Sequence, residues 1–164
     1  MIVSEHSIRS IVDAIPSVRI NNDTDSSPFF HWGDRNELNR YLQEKDKPYP
    51  LIWLLPTPDD YIDRGRSLNK KCEFIIATLE RREDLYNDQR YINSFDVILN
   101  PTVNYLIQGL KKSSTTNMIG EFTINKFPNY SEAGKNVTIA LWDAITLTID
   151  VNFNSNCLKP ILYT

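Results

Sequence analysis

Residues 48–55 read Pro-Tyr-Pro-Leu-Ile-Trp-Leu-Leu, the most continuously apolar run in the chain. Prolines at positions 48, 50, 56 and 58 bracket the run, so it cannot extend as a helix at either end. A short apolar run with such boundaries is typical of a strand that is buried on both faces. The stretch therefore predicts a central strand.

The aromatic run Phe-Phe-His-Trp at 29–32 and an amphipathic helix precede this strand. Asp34 followed by Glu37 resembles a capping box with aspartate in place of serine, and it predicts the start of the helix. An earlier helix is predicted over residues 4–15, capped by Ser4 or Ser7 and stopped by a proline at position 16. Residues 18–20 suggest a short strand, and residues 21–28 have no periodicity and indicate a loop.

After the central strand, residues 56–67 form a proline-rich and charged excursion. Residues 71–79 are then apolar on both alternating sets, which predicts a second interior strand. Two buried strands joined by such a loop favour a hairpin with an extended tip. Tyr61 and Ile62 are apolar residues at this charged tip. They either dock on a partner or fold back onto the chain's own core.

The charged stretch 80–88 is expected to be solvated, and helical spacing of apolar residues follows over 91–112. Pro101 interrupts this spacing, which indicates either a kink or a second helix with proline at its first position. From Val137 to Phe153 the apolar residues are nearly all odd-numbered, which predicts a long strand. Asp143 breaks that pattern, so we expect a bend or bulge at 142–143.

The resulting order of elements predicts an α+β fold with a small, mostly antiparallel sheet flanked by helices. At 164 residues, 41% of them hydrophobic, the chain is expected to be a single domain over 1–164, with 56–67 as a protruding hairpin. The net charge of −3 argues against a dedicated nucleic-acid binder. Cys72 and Cys157 have no metal-ligand spacing, and no secretory signal is evident, so folding in a reducing cytoplasm is expected.

No phosphate-binding, metal-binding or nucleophile motif is present, and the sequence predicts no catalytic, metal-binding or cofactor-binding residues. One alternative is a metal-dependent nuclease that uses the carboxylates of Asp59, Asp60, Asp63 and Glu73. The other interpretation of these residues is an exposed loop of mixed charge.

A further alternative is a binding module for a base or a glycan, with Phe29, Phe30 and Trp32 as a stacking platform. Such a cluster can equally fasten the start of a helix to the core. His6 and His31 have no neighbouring nucleophile in the sequence, so each is expected to be hydrogen-bonded or exposed.

A family likeness rests on Phe30-x-x-Gly33, Leu38-Asn39, the run 49–55 and Trp-Asp-Ala-Ile at 142–145. These residues resemble small neck and tail-completion proteins of tailed phages, including ring proteins of crAss-like phages that infect Bacteroides. The likeness spans roughly residues 29–153, and the order of elements is similar to that of the tail-terminator fold.

The resemblance implies a virion structural protein and not an enzyme. Such proteins assemble in the host cytoplasm as six- or twelve-fold rings around the DNA channel, between portal or adaptor proteins and the tail. Carried over to this sequence, the 56–67 tip and the polar face of 144–153 would be interfaces. The first helix would be an added contact.

Overall fold

The computed structural model describes residues 3–21, 24–44, 48–80, 87–128, 130 and 141–154. The helices are α1 (Ser4–Asp13), α2 (Arg35–Gln43), α3 (Asn87–Arg90) and α4 (Asn100–Lys112), and a π-helical segment, Tyr91–Leu99, joins the last two. The strands are β1 (Val18–Asn21), β2 (Thr24–Ser26), β3 (Phe29–Trp32), β4 (Leu51–Leu55), β5 (Asp59–Ile62), β6 (Ser67–Glu80), β7 (Thr116–Phe127) and β8 (Leu141–Asn154).

Six of these strands form the main sheet, in the order β3-β4-β6-β8-β7, with β5 also paired to β6 beyond the end of β4. The β3–β4 pair is parallel and the other pairs of this sheet are antiparallel. Strands β1 and β2 form a separate antiparallel hairpin. The α+β prediction is confirmed, although the main sheet is mixed.

Helices cover the two faces of the sheet. On what we call the α4 face, side chains such as Ile52, Phe74 and Leu147 pack in one core cluster with α1, the π-helical segment and α4. On the opposite α2 face, Trp53 and Ala77 pack in a second cluster with α2. The predicted central strand β4 contributes alternately to both clusters, and all five of its residues are buried.

The local sequence explains how α2 begins but not how α1 begins. The Asp34 carboxylate accepts a hydrogen bond of 2.8 Å from the Glu37 backbone N–H, so the predicted cap is confirmed. The predicted cap of α1 is wrong, because the helix begins at Ser4 and Val3 is its N-cap residue without a side-chain cap. Its apolar stripe is nevertheless buried, as the spacing predicts, at Ile8, Ile11, Val12 and Ile15.

Strands β2 and β3 occur where the sequence indicates no strand, and β5 occupies part of the predicted loop at 56–67. Strand β2 lies in the predicted loop, where backbone pairing with β1 and an ion pair of 3.5 Å between Arg19 and Asp25 take the place of apolar periodicity. Strand β3 is the aromatic run itself, paired parallel to β4. Because its side chains are apolar on both faces, it has no alternation that would identify it as a strand.

The expected bend at 142–143 is wrong. Strands β6 and β8 pair without a register shift from Ser67–Asn154 to Glu80–Leu141. The physical reason is that Asp143 remains inside, where the Arg90 guanidinium donates to its Oδ1 at 2.8 Å. A buried ion pair therefore replaces the outward turn that an unpaired carboxylate would require.

Helical structure continues from Asn87 to Lys112 through Pro101. The helix type changes from π to α between Leu99 and Asn100, directly before the proline. A proline lacks a backbone N–H and crowds the carbonyl four residues earlier, so a wider turn at this point accommodates it. The sequence left open a kink or a second helix that starts with proline. The structure combines features of both, since the helical segment is continuous and Pro101 lies in the first turn of α4.

Several predictions concern residues outside the described part of the chain. They include most of the charged stretch, at 81–86, and the beginning of the long final strand at Val137 and Ile139. Cys157 also lies outside this part of the chain. Within it, no helix has the length and apolar character that crossing a membrane requires.

Candidate functional site

The hairpin tip projects exposed apolar side chains at one end of the sheet. All four residues of β5 are exposed, and Tyr61 and Ile62 keep 41% and 42% of their surface accessible. The chain then turns through three residues with positive φ, Asp63, Arg64 and Gly65. Because Tyr61 and Ile62 remain exposed, the alternative in which they fold back onto the core is not observed.

A buried lysine holds the base of this hairpin. Lys70 lies opposite Asp59 in the β5–β6 pairing, and its Nζ donates to Asp59 Oδ1 at 2.6 Å. It also donates to Glu5 Oε1 of α1 at 3.3 Å. Burial lowers the pKa of Lys70, but the hydrogen bond that Lys70 donates to Asp59 and the charges of Glu5 and Asp59 outweigh this effect and raise the pKa. Ion pairs of Lys70 with Asp59 and Glu5 thus connect the base of the hairpin to α1.

The strand β7 is the opposite edge of the sheet, and it exposes apolar side chains on both faces. Opposite buried residues of β8, Phe122 and Ile124 lie on the α4 face with 40% and 39% of their surface exposed. Phe127 and Ile119 are similarly exposed on the α2 face. An irregularity of pairing between Ile119 and Phe122 contains Gly120, whose φ of 69° suits glycine.

The π-helical segment borders this edge on the α4 face. Lys126 of β7 donates to the Tyr91 hydroxyl at 3.2 Å, and its Nζ lies 4.7 Å from the centre of that ring. Tyr91, Ile92 and Val97 are themselves exposed. The edge strand and the neighbouring helix therefore both expose apolar side chains, and the positive charge of Lys126 lies where the two meet.

The polar face of β8 carries the alternation that the sequence predicts. Asp150 is exposed, and Thr146, Thr148 and Asn152 are half-buried. The Asn152 side-chain amide donates to Ser67 Oγ and to Asn69 Oδ1, each at 2.7 Å. Near Ala144 the same face is covered by the α2 cluster, so the polar surface is confined to the half of the sheet nearer the hairpin tip.

The four carboxylates of the nuclease hypothesis do not come together. Asp59 lies on the α4 face with Lys70, whereas Asp60 and Glu73 lie on the α2 face. Asp60 is opposite Asn69, four residues before Glu73 on β6 and so about 13 Å away along the strand. Asp63 is in the turn. Within the described ranges, no cluster of three or more histidine, cysteine, aspartate or glutamate side chains is arranged to hold a metal ion.

The aromatic residues 29–32 do not form one platform either. Phe30 is buried in the α4-face cluster with Arg9 stacked over its ring at 5.4 Å, and Trp32 points to the same face. Phe29 stacks on Tyr41 of α2, and His31 lies edge-on to Trp53. The run therefore serves mainly as a strand that ties α1 and α2 to the core.

Sequence reasoning missed two features of the site. It did not identify Phe122 and Ile124 as part of an exposed edge, because alternation in a strand does not reveal whether the strand lies at an edge. It also missed the interactions of Lys70 and Arg90. The sequence did contain a signal for the Arg90 interaction, since Asp143 occupies an apolar position of β8 and a buried carboxylate requires a cationic partner.

Comparison with known proteins identifies no relative: no protein-family model matches the chain, and no curated protein matches it.

Proposed function

We propose that this chain is a virion structural protein that forms an oligomeric ring in the head-to-tail connector or tail of a tailed phage. The ring, six- or twelve-fold, joins portal or adaptor proteins to tail proteins around the channel through which genomic DNA passes. The proposal begins with the resemblance of residues 29–153 to neck and tail-completion proteins.

One structural observation supports it most. Within the described residues, apolar side chains are exposed at two separate places on the main sheet, the β5 tip with Tyr61 and Ile62 and the β7 edge with Phe122 and Ile124. A ring needs two different surfaces on each subunit, because every contact is head-to-tail. The net charge of −3 also suits a channel through which DNA slides without being held.

Neither alternative has comparable support. The nuclease hypothesis requires a concave group of carboxylates, and the four residues are divided between two faces and a turn. The binding-module hypothesis requires an exposed aromatic platform, and Phe30 is buried while Phe29 and Trp32 lie on opposite faces.

Quantitative mass spectrometry of purified particles of the encoding phage tests the proposal. The expected result is a copy number equal to that of the portal protein, or in a small simple ratio to it. Absence of the chain from the particles would overturn the proposal.

The double substitution Tyr61→Asp and Ile62→Asp tests the hairpin tip separately. Both side chains are exposed, so the isolated chain should remain folded by circular dichroism while particle assembly becomes weaker. Complete particles with normal incorporation of the variant would show that the tip does not dock.

A further inference from the structure

We propose that neighbouring copies of this chain join by strand addition, with β5 of one copy pairing antiparallel to the β7 edge of the next. This inference rests on the proposed ring and specifies its subunit contact. The occupant of the β7 edge is thus a second copy of the chain.

Both edges are open within the described residues. Strand β7 is paired only to β8, and β5 only to β6, so each presents a row of backbone groups on its outer side. Natural edge strands are usually protected by charges, prolines or a covering element. The β7 segment Phe122–Asn125 contains neither a charge nor a proline, which is typical of an edge that a partner covers.

The directions of the strands fit head-to-tail pairing of β5 with β7. Strands β5 and β8 run in one direction, and β6 and β7 run in the other, because each successive pair is antiparallel. If copies follow one another around an axis with the same orientation, β5 of one copy lies beside β7 of the next in the antiparallel sense. The α4 faces of the copies then lie on the same side, so head-to-tail pairing needs no inversion of the subunit.

Side chains also match across the new pair of strands. Tyr61 lies on the α4 face, so its partner must be an α4-face residue of β7. The candidates are Phe122, Ile124 and Lys126. If Tyr61 lies opposite Ile124, Asp59 lies opposite Lys126. This register places an apolar pair beside a pair of opposite charges. Opposite Phe122, Tyr61 would place Ile62 beside a glutamate. Charge and apolar matching therefore select the Tyr61–Ile124 register.

Strand lengths are consistent with this register. Pairing Tyr61 with Ile124 places the last residue of β7, Phe127, beside Pro58. The incoming strand then ends before it reaches β3, which pairs with Leu51–Leu54. The edge of β3 is a poorer choice, because Ser26 Oγ donates to the Tyr49 carbonyl at 2.7 Å and keeps the β1–β2 hairpin beside the start of β3.

A disulfide between copies tests the register. On the α2 face, Asp60 would lie opposite Asn125, within the range of Cα separations that a disulfide spans. Inside one copy the two residues are roughly 14 Å apart across the strands and about 20 Å apart along them, too far for a bond. Asp60→Cys and Asn125→Cys are placed in separate Cys157→Ser chains, the chains are mixed and oxidised, and covalent dimers are measured.

We expect covalent dimers in the mixture and in neither variant alone, with far less dimer when Thr123→Cys replaces Asn125→Cys. Dimers from Asn125→Cys alone would show β7 paired to β7 and overturn the proposal. An intact oligomer that forms no cross-link would also overturn it while leaving the ring itself in place. A purified chain that stays monomeric and is absent from particles would overturn the ring as well.

Complementation provides a second test that does not depend on cysteine chemistry. Tyr61→Asp disables β5 and Ile124→Asp disables β7, so each variant alone should be monomeric. A mixture of the two retains one intact pair of edges and should form dimers, and no larger species. Oligomers from either variant alone, or a mixture that remains monomeric, would contradict the β5–β7 contact.

Discussion

Strands β4 and β7 have similar side chains and opposite environments. The Leu-Ile-Trp-Leu-Leu run of β4 is buried between α1 and α4 on one side and α2 on the other. Phe122, Ile124 and Phe127 of β7 are each about two-fifths exposed. The difference shows that apolar content makes a strand, while its position in the sheet decides whether its apolar surface serves the fold or remains for a partner.

Two tryptophans on adjacent strands give the largest expected contrast. Trp53 is fully buried, and its Nε1 donates to the Gly33 carbonyl at 2.9 Å, whereas Trp32 is 49% exposed. Trp53→Ala should lower the free energy of unfolding by about 3–5 kcal/mol. Trp32→Ala should cost about 1 kcal/mol or less. Urea titration measures both, and equal losses would contradict the assignment of β4 as the centre of the core.

The buried pair of Arg90 and Asp143 should have a comparable effect. Arg90→Met leaves the Asp143 carboxylate buried without the guanidinium and should cost about 3–5 kcal/mol. The matched control is Arg19→Met, at an exposed ion pair with Asp25, where about 0.5 kcal/mol is expected. Similar stabilities of the two variants would show that β8 tolerates loss of the guanidinium beside Asp143, for example by bending.

Register partners on the α4 face sharpen the comparison further. Leu147 is buried and lies directly opposite the exposed Ile124. Leu147→Ala should cost about 2–5 kcal/mol, and Ile124→Ala should change the stability of the dissociated chain by about 0.5 kcal/mol or less. Thermal unfolding at a concentration that excludes assembly checks this. A large loss for Ile124→Ala would mean that β7 belongs to the core.

A smaller effect on stability is expected at high pH, from ionisation of Tyr41. Burial, together with the negative charge of Glu44, raises the pKa of Tyr41 from 10.0 to about 12. A raised pKa of an acid means that the unfolded state ionises first, so the stability due to neutral Tyr41 is complete below pH 10 and falls as the pH rises toward 12.

Tyr41→Phe should therefore lose less stability than the native chain between these pH values. At neutral pH the substitution should cost little, because the hydroxyl donates to the Pro48 carbonyl only at 3.4 Å. Urea titrations at pH 9 and 11 measure the difference. Parallel losses in the two proteins would show that Tyr41 ionises as freely in the folded chain as in the unfolded one.

Patterns whose cause is local could be predicted from the sequence. The α+β class, the buried β4, the α2 cap at Asp34 and the hairpin all follow from periodicity, prolines and capping residues. Strand β3 could not be predicted, because its parallel pairing with β4 involves residues about 20 positions away and its side chains have no alternation.

The candidate site was harder to predict than the fold. The exposed Tyr61 and Ile62 follow from their place on a charged loop, and the structure excludes their folding back. The exposure of Phe122 and Ile124 depends on which strand ends the sheet, and alternation is the same in edge and central strands. The bend expected at Asp143 was wrong, because the sequence pattern does not reveal that Arg90 lies above it.

We propose that the exposed apolar surface at the sheet edges joins copies of this chain. Native mass spectrometry of the purified chain beside its Ile124→Asp variant tests it most directly. The account predicts one closed oligomer with a single subunit number for the native chain and monomers for the variant. Identical subunit numbers for the two proteins, whether both assembled or both monomeric, would contradict it.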